Sequence, residues 1–373
     1  MLRNKIVDII RQFPWFRPRG KIHSLKEYIN SERRKEEWFY RTKGPWFRSV
    51  YESDINVYDK SIWADYYSEP LTRVVPEASI SFLKGAFVFS DSGVVSTKGN
   101  RFLNETFHAF DRGHLNETSV YRPFALFSWD VDRIEGVGAL LCSPECNNYY
   151  HWIFDVIPRI HIYNKYREMI DYYVVPDNLS NYQKETLEMA GLSSFINISK
   201  SEKLYFNNFL IASLPGSLGA YPDWSIKFLR EEIMASASPI QSVSLPRRIY
   251  VQRSNSTGRV VMNKKDVDEV LDDYGITKVL LEDYSVSEQI RLFKDAELVL
   301  GPHGAGFSNM VFSGEQTGLI EIMSPDYMRP DAFYTLCSRL ERKYDFLMGN
   351  RCGSWGNVTV NVKYLRQKIE KML

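Results

Sequence analysis

The chain has 373 residues, which favours two domains over one and leads us to expect a cleft between them. Hydrophobic residues make up 44% and charged residues 25%, a composition typical of a globular protein and not of a disordered chain. Because 47 lysines and arginines nearly balance 46 acidic residues, the net charge of +1 gives no general reason to expect a nucleic-acid partner. We find no apolar run of about 18 residues and no signal-peptide core, so we expect a cytoplasmic protein.

The N-terminal segment 1–21 is both basic and apolar. It carries six lysines and arginines against one aspartate, interleaved with isoleucine, phenylalanine and tryptophan. This pattern fits two structures equally well: a peripheral contact with the inner face of the cell membrane, or a helix docked on the protein with a solvated basic face. Residues 22–72 show weak periodicity and predict irregular structure with short helices. We therefore expect an N-terminal extension over 1–77.

Residues 78–240 predict a first Rossmann-like domain. It begins with a β-hairpin whose β-rich runs, from Ala78 onwards, are joined near Gly93. The following segments predict strand, helix, strand, helix and strand in that order: GVGALLC, NYYHWIFDVIPRIHIYNKY, DYYVVP, SNYQKETLEMAGL and LYFNNFLIAS. A Gly/Pro-rich stretch and a helical run punctuated by Ser-Pro follow, and they predict the domain linker.

Residues 241–373 alternate strand and helix patterns more clearly. The predicted strands are RRIYVQR, TKVLLE, ELVLG, TGLIEIM and YDFLMG. The helices between them include NKKDVDEVLDDYG and SVSEQIRLFKDA, the latter with a capping box of Ser285 and Glu288. This alternation predicts a parallel sheet with helices on both faces, so the expected fold class is α/β with two Rossmann-like domains.

A glycine-rich turn, GPHGAGFSN, follows the predicted strand ELVLG. In a parallel sheet, ligands bind at the carboxyl ends of the strands, where the amides of the next helix attract phosphate. The turn has little side-chain bulk at Gly304, Ala305 and Gly306, while His303 and Asn309 carry hydrogen-bonding groups. It is therefore a candidate diphosphate site, with a purely structural tight turn as the alternative.

Three charged residues are expected at the same edge of the sheet. Arg253 ends RRIYVQR and Arg259 follows it, and guanidinium groups match phosphate geometry. Glu321 ends TGLIEIM, where a carboxylate can accept hydrogen bonds from ribose hydroxyls. Surface ion pairs for the arginines and a solvent-facing charge for the glutamate are the alternatives.

Four motifs occur in this order along the chain: NYYHWIFDVIPR, RRIYVQR with Arg259, SEQIRLF, and GPHGAGFSN with EIM after it. Together they resemble glycosyltransferase family 61 over residues 78 to 348. The resemblance implies a GT-B fold with two Rossmann-like domains facing a cleft, an inverting reaction, a UDP-sugar donor as substrate, no cofactor and no obligatory metal. The family includes bacterial capsule-synthesis enzymes, so a glycan or a lipid-linked oligosaccharide is the expected acceptor. Residues 1–77 lie outside the resemblance.

An inverting transferase needs a general base near the acceptor hydroxyl. If NYYHWIFDVIPR is helical, His151 and Asp155 share one face, four residues apart. We expect His151 to be the base and Asp155 to hold it, with Asp155 itself as the base or a structural role for both as the alternatives. Pro158 predicts a bend in this helix.

The sequence disfavours a catalytic metal and a dinucleotide oxidoreductase, and it leaves a noncatalytic sugar-binding protein open as a rival. Asp130 and Asp132 have the DxD form of metal-dependent transferases, but Asp266 and Asp268 have the same form on an evident helix, so we expect no catalytic metal. The rivals are a dinucleotide oxidoreductase and a noncatalytic sugar-binding protein. The dinucleotide fingerprint GxGxxG follows the first strand of its domain, whereas GAGFSN follows the third and lacks the third glycine.

Overall fold

The computed structural model describes residues 21–22, 24–36, 46–58, 71–98, 101–103, 131–200, 202–237, 245–253 and 258–373. Most of the basic segment 1–21, on which the membrane prediction rests, lies outside these ranges. The chain divides into two compact units. Unit 1 comprises Met1–Asp54, Pro76–Ser180 and Gly191–Pro215, and unit 2 comprises Ile55–Val75, Asn181–Ala190 and Gly216–Leu373. The domain boundaries at 77 and 240 stay a prediction.

The strands, in chain order, are β1 (Lys21–Ile22), β2 (Trp46–Tyr51), β3 (Asp54–Tyr58), β4 (Leu71–Val75), β5 (Ala78–Phe89), β6 (Val94–Thr97), β7 (Phe102–Leu103), β8 (Asp132–Leu140), β9 (Tyr172–Pro176), β10 (Phe195–Ile198), β11 (Lys203–Ala212), β12 (Arg248–Val251), β13 (Thr277–Val279), β14 (Leu298–Pro302), β15 (Gly318–Met323), β16 (Lys343–Met348), β17 (Asn350–Arg351) and β18 (Val358–Thr359).

The α-helices are α1 (Leu25–Glu36), α2 (Tyr149–His151), α3 (Arg159–Asn164), α4 (Asn181–Met189), α5 (Asp223–Phe228), α6 (Lys264–Asp273), α7 (Val286–Asp295), α8 (Pro330–Arg339) and α9 (Val362–Met372). π-Helical turns span Trp152–Val156 and Leu229–Ile233, and 3₁₀ helices span Arg167–Met169, Leu281–Asp283 and Ala305–Phe312. Within the described ranges, none of the helices is long and apolar enough to cross a membrane.

Unit 1 is built on a mixed sheet, to which its described residues contribute nine strands. The order is β1-β7-β6-β5-β11-β8-β9-β10, and β2 pairs with β5. The predicted hairpin is confirmed, since β5 and β6 pair antiparallel. Strands β11, β8, β9 and β10 are parallel neighbours, as a Rossmann-like half requires, whereas β5 joins β11 antiparallel. The sheet is thus only partly of the predicted parallel kind.

Residues 22–72, for which we predicted irregular structure with short helices, contain α1 in their described part, and also strands β2, β3 and the start of β4, which were not predicted. Strand β2 pairs antiparallel with β5, from Trp46 opposite Phe82 to Tyr51 opposite Ala78. It alternates poorly, because neighbouring Arg48 and Ser49 are both exposed. Pairing with a distant strand, not a local pattern, determines this structure.

The single helix predicted around His151 is interrupted. Pro158 has no amide to donate to the carbonyl of Phe154, and the chain forms a π-helical turn over Trp152–Val156, where the amide of Ile157 donates to the carbonyl of Trp152 at 3.0 Å. The helix resumes as α3. The predicted bend is therefore a π-turn, a feature often found at functional sites.

Unit 2 contains a parallel sheet with the order β13-β12-β14-β15-β16. In chain order this is 2-1-3-4-5, the flavodoxin-like doubly wound pattern. Helix α6 packs against α9, while α7 and α8 both pack against the 3₁₀ helix Ala305–Phe312. The prediction of an α/β fold is confirmed. The strand order reverses between β12 and β14, and ligands bind at such a switch point, beside the carboxyl ends of the strands.

The central strands of unit 2 are rich in apolar residues, with Glu321 as the one charged residue of β14 and β15. Every residue of β14 and β15 is buried, as expected for parallel strands covered on both faces. Helix α6 adds Val267, Val270 and Leu271 to the core on one face. Each such aliphatic side chain contributes about 1.5–3 kcal/mol when fully buried.

Two short segments from the first half of the sequence complete unit 2. Arg73, in β4, forms an ion pair with Asp331 of α8 at 2.8 Å. Glu185, in α4, accepts hydrogen bonds from the amides of Val286 and Ser287 at 2.7 and 2.8 Å, so it supplies a carboxylate to the N-terminus of α7. Unit 2 is therefore a composite of three stretches of the chain.

Candidate functional site

In unit 1, the π-turn places a histidine beside a buried carboxylate. The Nδ1 atom of His151 lies 2.7 Å from Oδ2 of Asp155. An ionised carboxylate can only accept hydrogen bonds, so Nδ1 carries the proton and donates it to Asp155. The sequence prediction that these two residues meet on one face is confirmed, while their chemical role stays a prediction.

Burial controls the electrostatics of this pair. Desolvation raises the pKa of Asp155 above its usual value, and the hydrogen bond from His151 opposes that shift. Arg159, a further turn along the chain from Asp155, is 2% exposed and donates through Nη1 to the carbonyl of Cys142 at 3.2 Å. Its charge also lowers the pKa of Asp155. A buried cation thus helps to keep the carboxylate ionised.

In unit 2, a second histidine is held by a carboxylate at the switch point. His303 follows β14 directly, and its Nδ1 lies 2.5 Å from Oε1 of Glu321 in β15. The hydroxyl of Tyr344 donates to Oε2 of the same glutamate at 2.7 Å. Glu321 is fully buried, and both of its oxygens are engaged within the protein. These contacts make it a partner of His303, a geometry that the predicted ribose contact did not anticipate.

Two arginines lie close to this histidine. Arg253 donates through Nη1 to the carbonyl of His303 at 3.1 Å. Desolvation and the charge of Arg259 lower the pKa of Arg253 to about 10, with Glu282 acting in the opposite direction. The two guanidinium groups therefore repel each other in a half-buried position, and an anion placed there would relieve that repulsion. The predicted pair of cations at the end of β12 is present.

Small residues let the backbone approach closely in this turn. A Cβ on Gly304 would lie 2.4 Å from Nη1 of Arg253, and one on Gly306 would lie 2.7 Å from Cδ1 of Leu281. The helix after the turn is the 3₁₀ helix that begins at Ala305. Asn309 is completely buried, and its amide donates to Oε1 of Gln289 at 2.8 Å. This contact directs Asn309 into the scaffold behind the turn.

Aromatic rings border the site, and sequence reasoning missed them. The ring of Tyr327 contacts that of His303 edge-on at 5.3 Å between centroids, and Phe333 contacts His303 at 5.4 Å. The guanidinium carbon of Arg259 lies 4.8 Å from the centroid of Tyr327. Trp355 contacts Tyr327 at 5.6 Å. Tyr327 and Trp355 lie in loops without periodicity, so no sequence signal marked them.

Of the aspartates considered for metal binding, Asp266 and Asp268 each contact a different polar side chain. Asp130 lies outside the described residues. Asp268 forms an ion pair with Lys278 at 2.8 Å, and Asp266 accepts a hydrogen bond from Asn263 at 3.1 Å. Across the part of the chain that the structure describes, no group of three or more histidine, cysteine, aspartate and glutamate side chains could hold a metal ion.

The fold and the site together define an α/β protein with a cationic, histidine-containing edge at the switch point of a doubly wound sheet. Residues 149–320 match the family Glycosyltransferase 61. This match confirms the resemblance found in the sequence for residues 149–320. The matched segment begins two residues before His151 and ends one residue before Glu321.

Two plant proteins are similar to parts of the chain. Beta-1,2-xylosyltransferase RCN11 of Oryza sativa subsp. japonica is 26% identical over 148 residues, which cover 36% of this chain and 27% of that protein. Beta-1,2-xylosyltransferase of Arabidopsis thaliana is 29% identical over 112 residues, covering 26% of this chain and 21% of that protein. The chain thus spans about a quarter of the length of these relatives.

Proposed function

We propose that the chain is an inverting glycosyltransferase of the GT-B type, which moves a sugar from a UDP-sugar to a hydroxyl of a glycan acceptor. The observation that carries this proposal is the group formed by Arg253, Arg259 and His303 at the switch point of a family 61 domain. The strand order supports a nucleotide at this edge, and the paired guanidinium groups support a diphosphate.

The site in unit 2 stabilises the leaving group in this proposal. As the bond between the anomeric carbon and the diphosphate oxygen breaks, negative charge develops on the diphosphate. Arg253 and Arg259 supply positive charge, and His303, oriented by Glu321, supplies a hydrogen bond from Nε2 when that nitrogen is protonated. Fixed donors of this kind need no reorganisation when the charge develops.

His151 in unit 1 provides the base. Its Nε2 takes the proton of the acceptor hydroxyl while the hydroxyl oxygen attacks the anomeric carbon from the face opposite the departing UDP. Asp155 accepts from Nδ1 and stabilises the imidazolium that forms, as a carboxylate does in other histidine dyads. Because cations and oriented donors stabilise the leaving group, we propose that transfer needs no divalent metal.

The proposal also specifies the donor, the acceptor and the cellular location of the reaction. The names of the two plant relatives specify xylosyl transfer, so UDP-xylose is the first donor to test. A glycan or lipid-linked oligosaccharide of capsule or other surface polysaccharide is the proposed acceptor. The proposed place of action is the cytoplasm, at the inner face of the membrane, with residues 1–21 as the contact.

Mass spectrometry of products from a panel of UDP-sugars, with and without EDTA, tests the reaction. We expect transfer from one donor that survives chelation, and activity restored only by manganese would overturn the metal-free mechanism. Thermal-shift measurements on the full chain with UDP, NAD and oligosaccharides separate the rival functions. Stabilisation by NAD alone would indicate an oxidoreductase, and stabilisation by oligosaccharide alone a sugar-binding protein.

A further inference from the structure

We propose that Trp355 is the platform on which the nucleobase of the donor stacks. This inference rests on the proposed function, because it assumes that a nucleotide binds in unit 2. Trp355 lies between β17 and β18 and is 58% exposed, although it is one of the largest apolar side chains. An exposed indole at the edge of a ligand site offers a flat apolar face to a planar ring.

Aromatic contacts connect this indole to the diphosphate site. Trp355 packs edge-on against Tyr327, and Tyr327 packs edge-on against His303. The guanidinium of Arg259 packs against the ring of the same tyrosine. A ligand with its diphosphate at His303 and Arg259 would therefore have its remaining parts within reach of the indole.

The backbone around Trp355 is shaped to hold it there. A Cβ on Gly258 would lie 2.8 Å from the carbonyl oxygen of Trp355 and 3.4 Å from its Cε3, so glycine allows the tryptophan to approach closely. Arg259, the next residue, has a φ of 61°, which is uncommon for a residue other than glycine. Gly356 has a φ of 78°, and a Cβ there would lie 3.0 Å from Cγ of Arg259. Unfavourable backbone conformations of this kind often occur at functional sites.

Hydrogen bonds fix the loops that carry these residues to one another. The amide of Val260 donates to Oδ1 of Asn357 at 2.9 Å, and the amide of Gly356 donates to Oδ2 of Asp326 at 3.1 Å. Arg351 forms an ion pair with Asp326 at 2.7 Å. The loops after β12 and β15 and the β17–β18 turn are thus tied together. The indole is held in place before a ligand arrives, which lowers the entropy lost on binding.

A nucleobase fits this position better than an acceptor sugar. The indole belongs to the same unit as the two arginines, and its contacts run through Tyr327 to Arg259 and His303. Stacking between a base and an aromatic ring contributes about 1–3 kcal/mol and requires no hydrogen bond to the base edge. The indole therefore favours a nucleotide over a sugar, while contacts other than this stacking distinguish one base from another.

The test measures nucleotide affinity and tryptophan fluorescence in the full chain. UDP is titrated, with ADP and GDP in parallel, into the parent, Trp355→Ala and Trp355→Phe. Tyr364→Ala is the matched control, because Tyr364 is a 55% exposed aromatic residue on α9 of the same unit. We expect Trp355→Ala to weaken binding by roughly 5- to 150-fold. Trp355→Phe should retain affinity close to that of the parent but lose the quenching that a base stacked on indole produces.

Three results would overturn the inference alone: unchanged UDP affinity in Trp355→Ala, quenching retained in Trp355→Phe, or a loss of affinity in Trp355→Phe equal to that in Trp355→Ala. Unchanged UDP affinity with a raised KM for acceptor would assign the indole to the acceptor instead. If the parent binds none of the three nucleotides, the proposed function itself fails. The control variant should bind UDP as the parent does.

Discussion

The substitution Gly304→Ala should weaken anion binding without changing the stability of the fold. Gly304 has a φ of −176°, an extended conformation that alanine adopts without strain. In Gly304→Ala the new Cβ would lie 2.4 Å from Nη1 of Arg253. That atom is the end of a flexible side chain, so the guanidinium moves away and the backbone does not.

The structure sets the size of the effect. The displaced guanidinium loses its hydrogen bond to the carbonyl of His303 and its position beside Arg259. The charge-assisted hydrogen bond that Arg253 is proposed to donate to the diphosphate, and that the displaced guanidinium can no longer make, contributes about 1.5–3 kcal/mol. At 1.4 kcal/mol for each factor of ten, we expect the Kd for UDP to rise roughly 10- to 150-fold. The melting temperature should change little, because the site is at the edge of the sheet.

Calorimetric titration of the full chain with UDP measures this effect, and a neighbouring glycine supplies the control. In Gly301→Ala the Cβ would lie 2.6 Å from the backbone oxygen of Val251, so that variant should lose stability through the sheet itself. Arg253→Ala should weaken UDP binding about as much as Gly304→Ala, and the double variant should be no weaker. A Gly304→Ala protein that binds UDP within about twofold of the parent, or additive losses in the double variant, would refute the reasoning.

The remaining predictions concern the two histidine–carboxylate pairs. His151→Ala should lower turnover by about 100- to 10,000-fold while leaving UDP affinity unchanged. A stable His151→Ala variant whose turnover is within about threefold of the parent would exclude this base. Glu321→Gln should weaken UDP binding, because its amide cannot accept from both His303 and Tyr344, and a lower melting temperature with unchanged affinity would show a purely structural role. Because burial raises the pKa of Asp155 in the fold, its contribution to stability is present at low pH and is lost as pH rises through that pKa. We therefore expect the free energy of unfolding to fall less between about pH 4 and neutrality in Asp155→Asn than in the parent, as measured by thermal unfolding across that range. An equal pH dependence in the two proteins would contradict the raised pKa of Asp155.

The sequence predicted those parts of the molecule whose structure is encoded locally. The capping box of Ser285 and Glu288 is present at the start of α7. The buried strand β14 has a continuous apolar sequence, so the glycine-rich turn could be placed at the end of the third strand of the domain. Arg253 and His303 then follow from parallel pairing, because neighbouring parallel strands end at the same edge.

Tertiary contacts determine the rest. Nothing near Glu321 in the sequence shows that its oxygens meet His303 and Tyr344, since Tyr344 is 23 residues further along the chain. Helix α1 and strands β2 to β4 lack a clear pattern of their own and depend on distant partners. The sequence likewise does not show that the buried amide of Asn309 donates to Gln289, and its contact with a ligand stays a prediction.

The three-segment construction of unit 2 has a consequence for protein engineering. A chimera designed from the predicted domain boundary would exchange the C-terminal part of the chain near residue 240. Such an exchange would leave Arg73 and Glu185 behind, so Asp331 of the incoming half would lose its ion pair and the N-terminus of α7 its carboxylate. A functional graft must also transfer residues 55–75 and 181–190. During synthesis on the ribosome, these segments cannot complete the folding of unit 2 until the C-terminal part of the chain has been made.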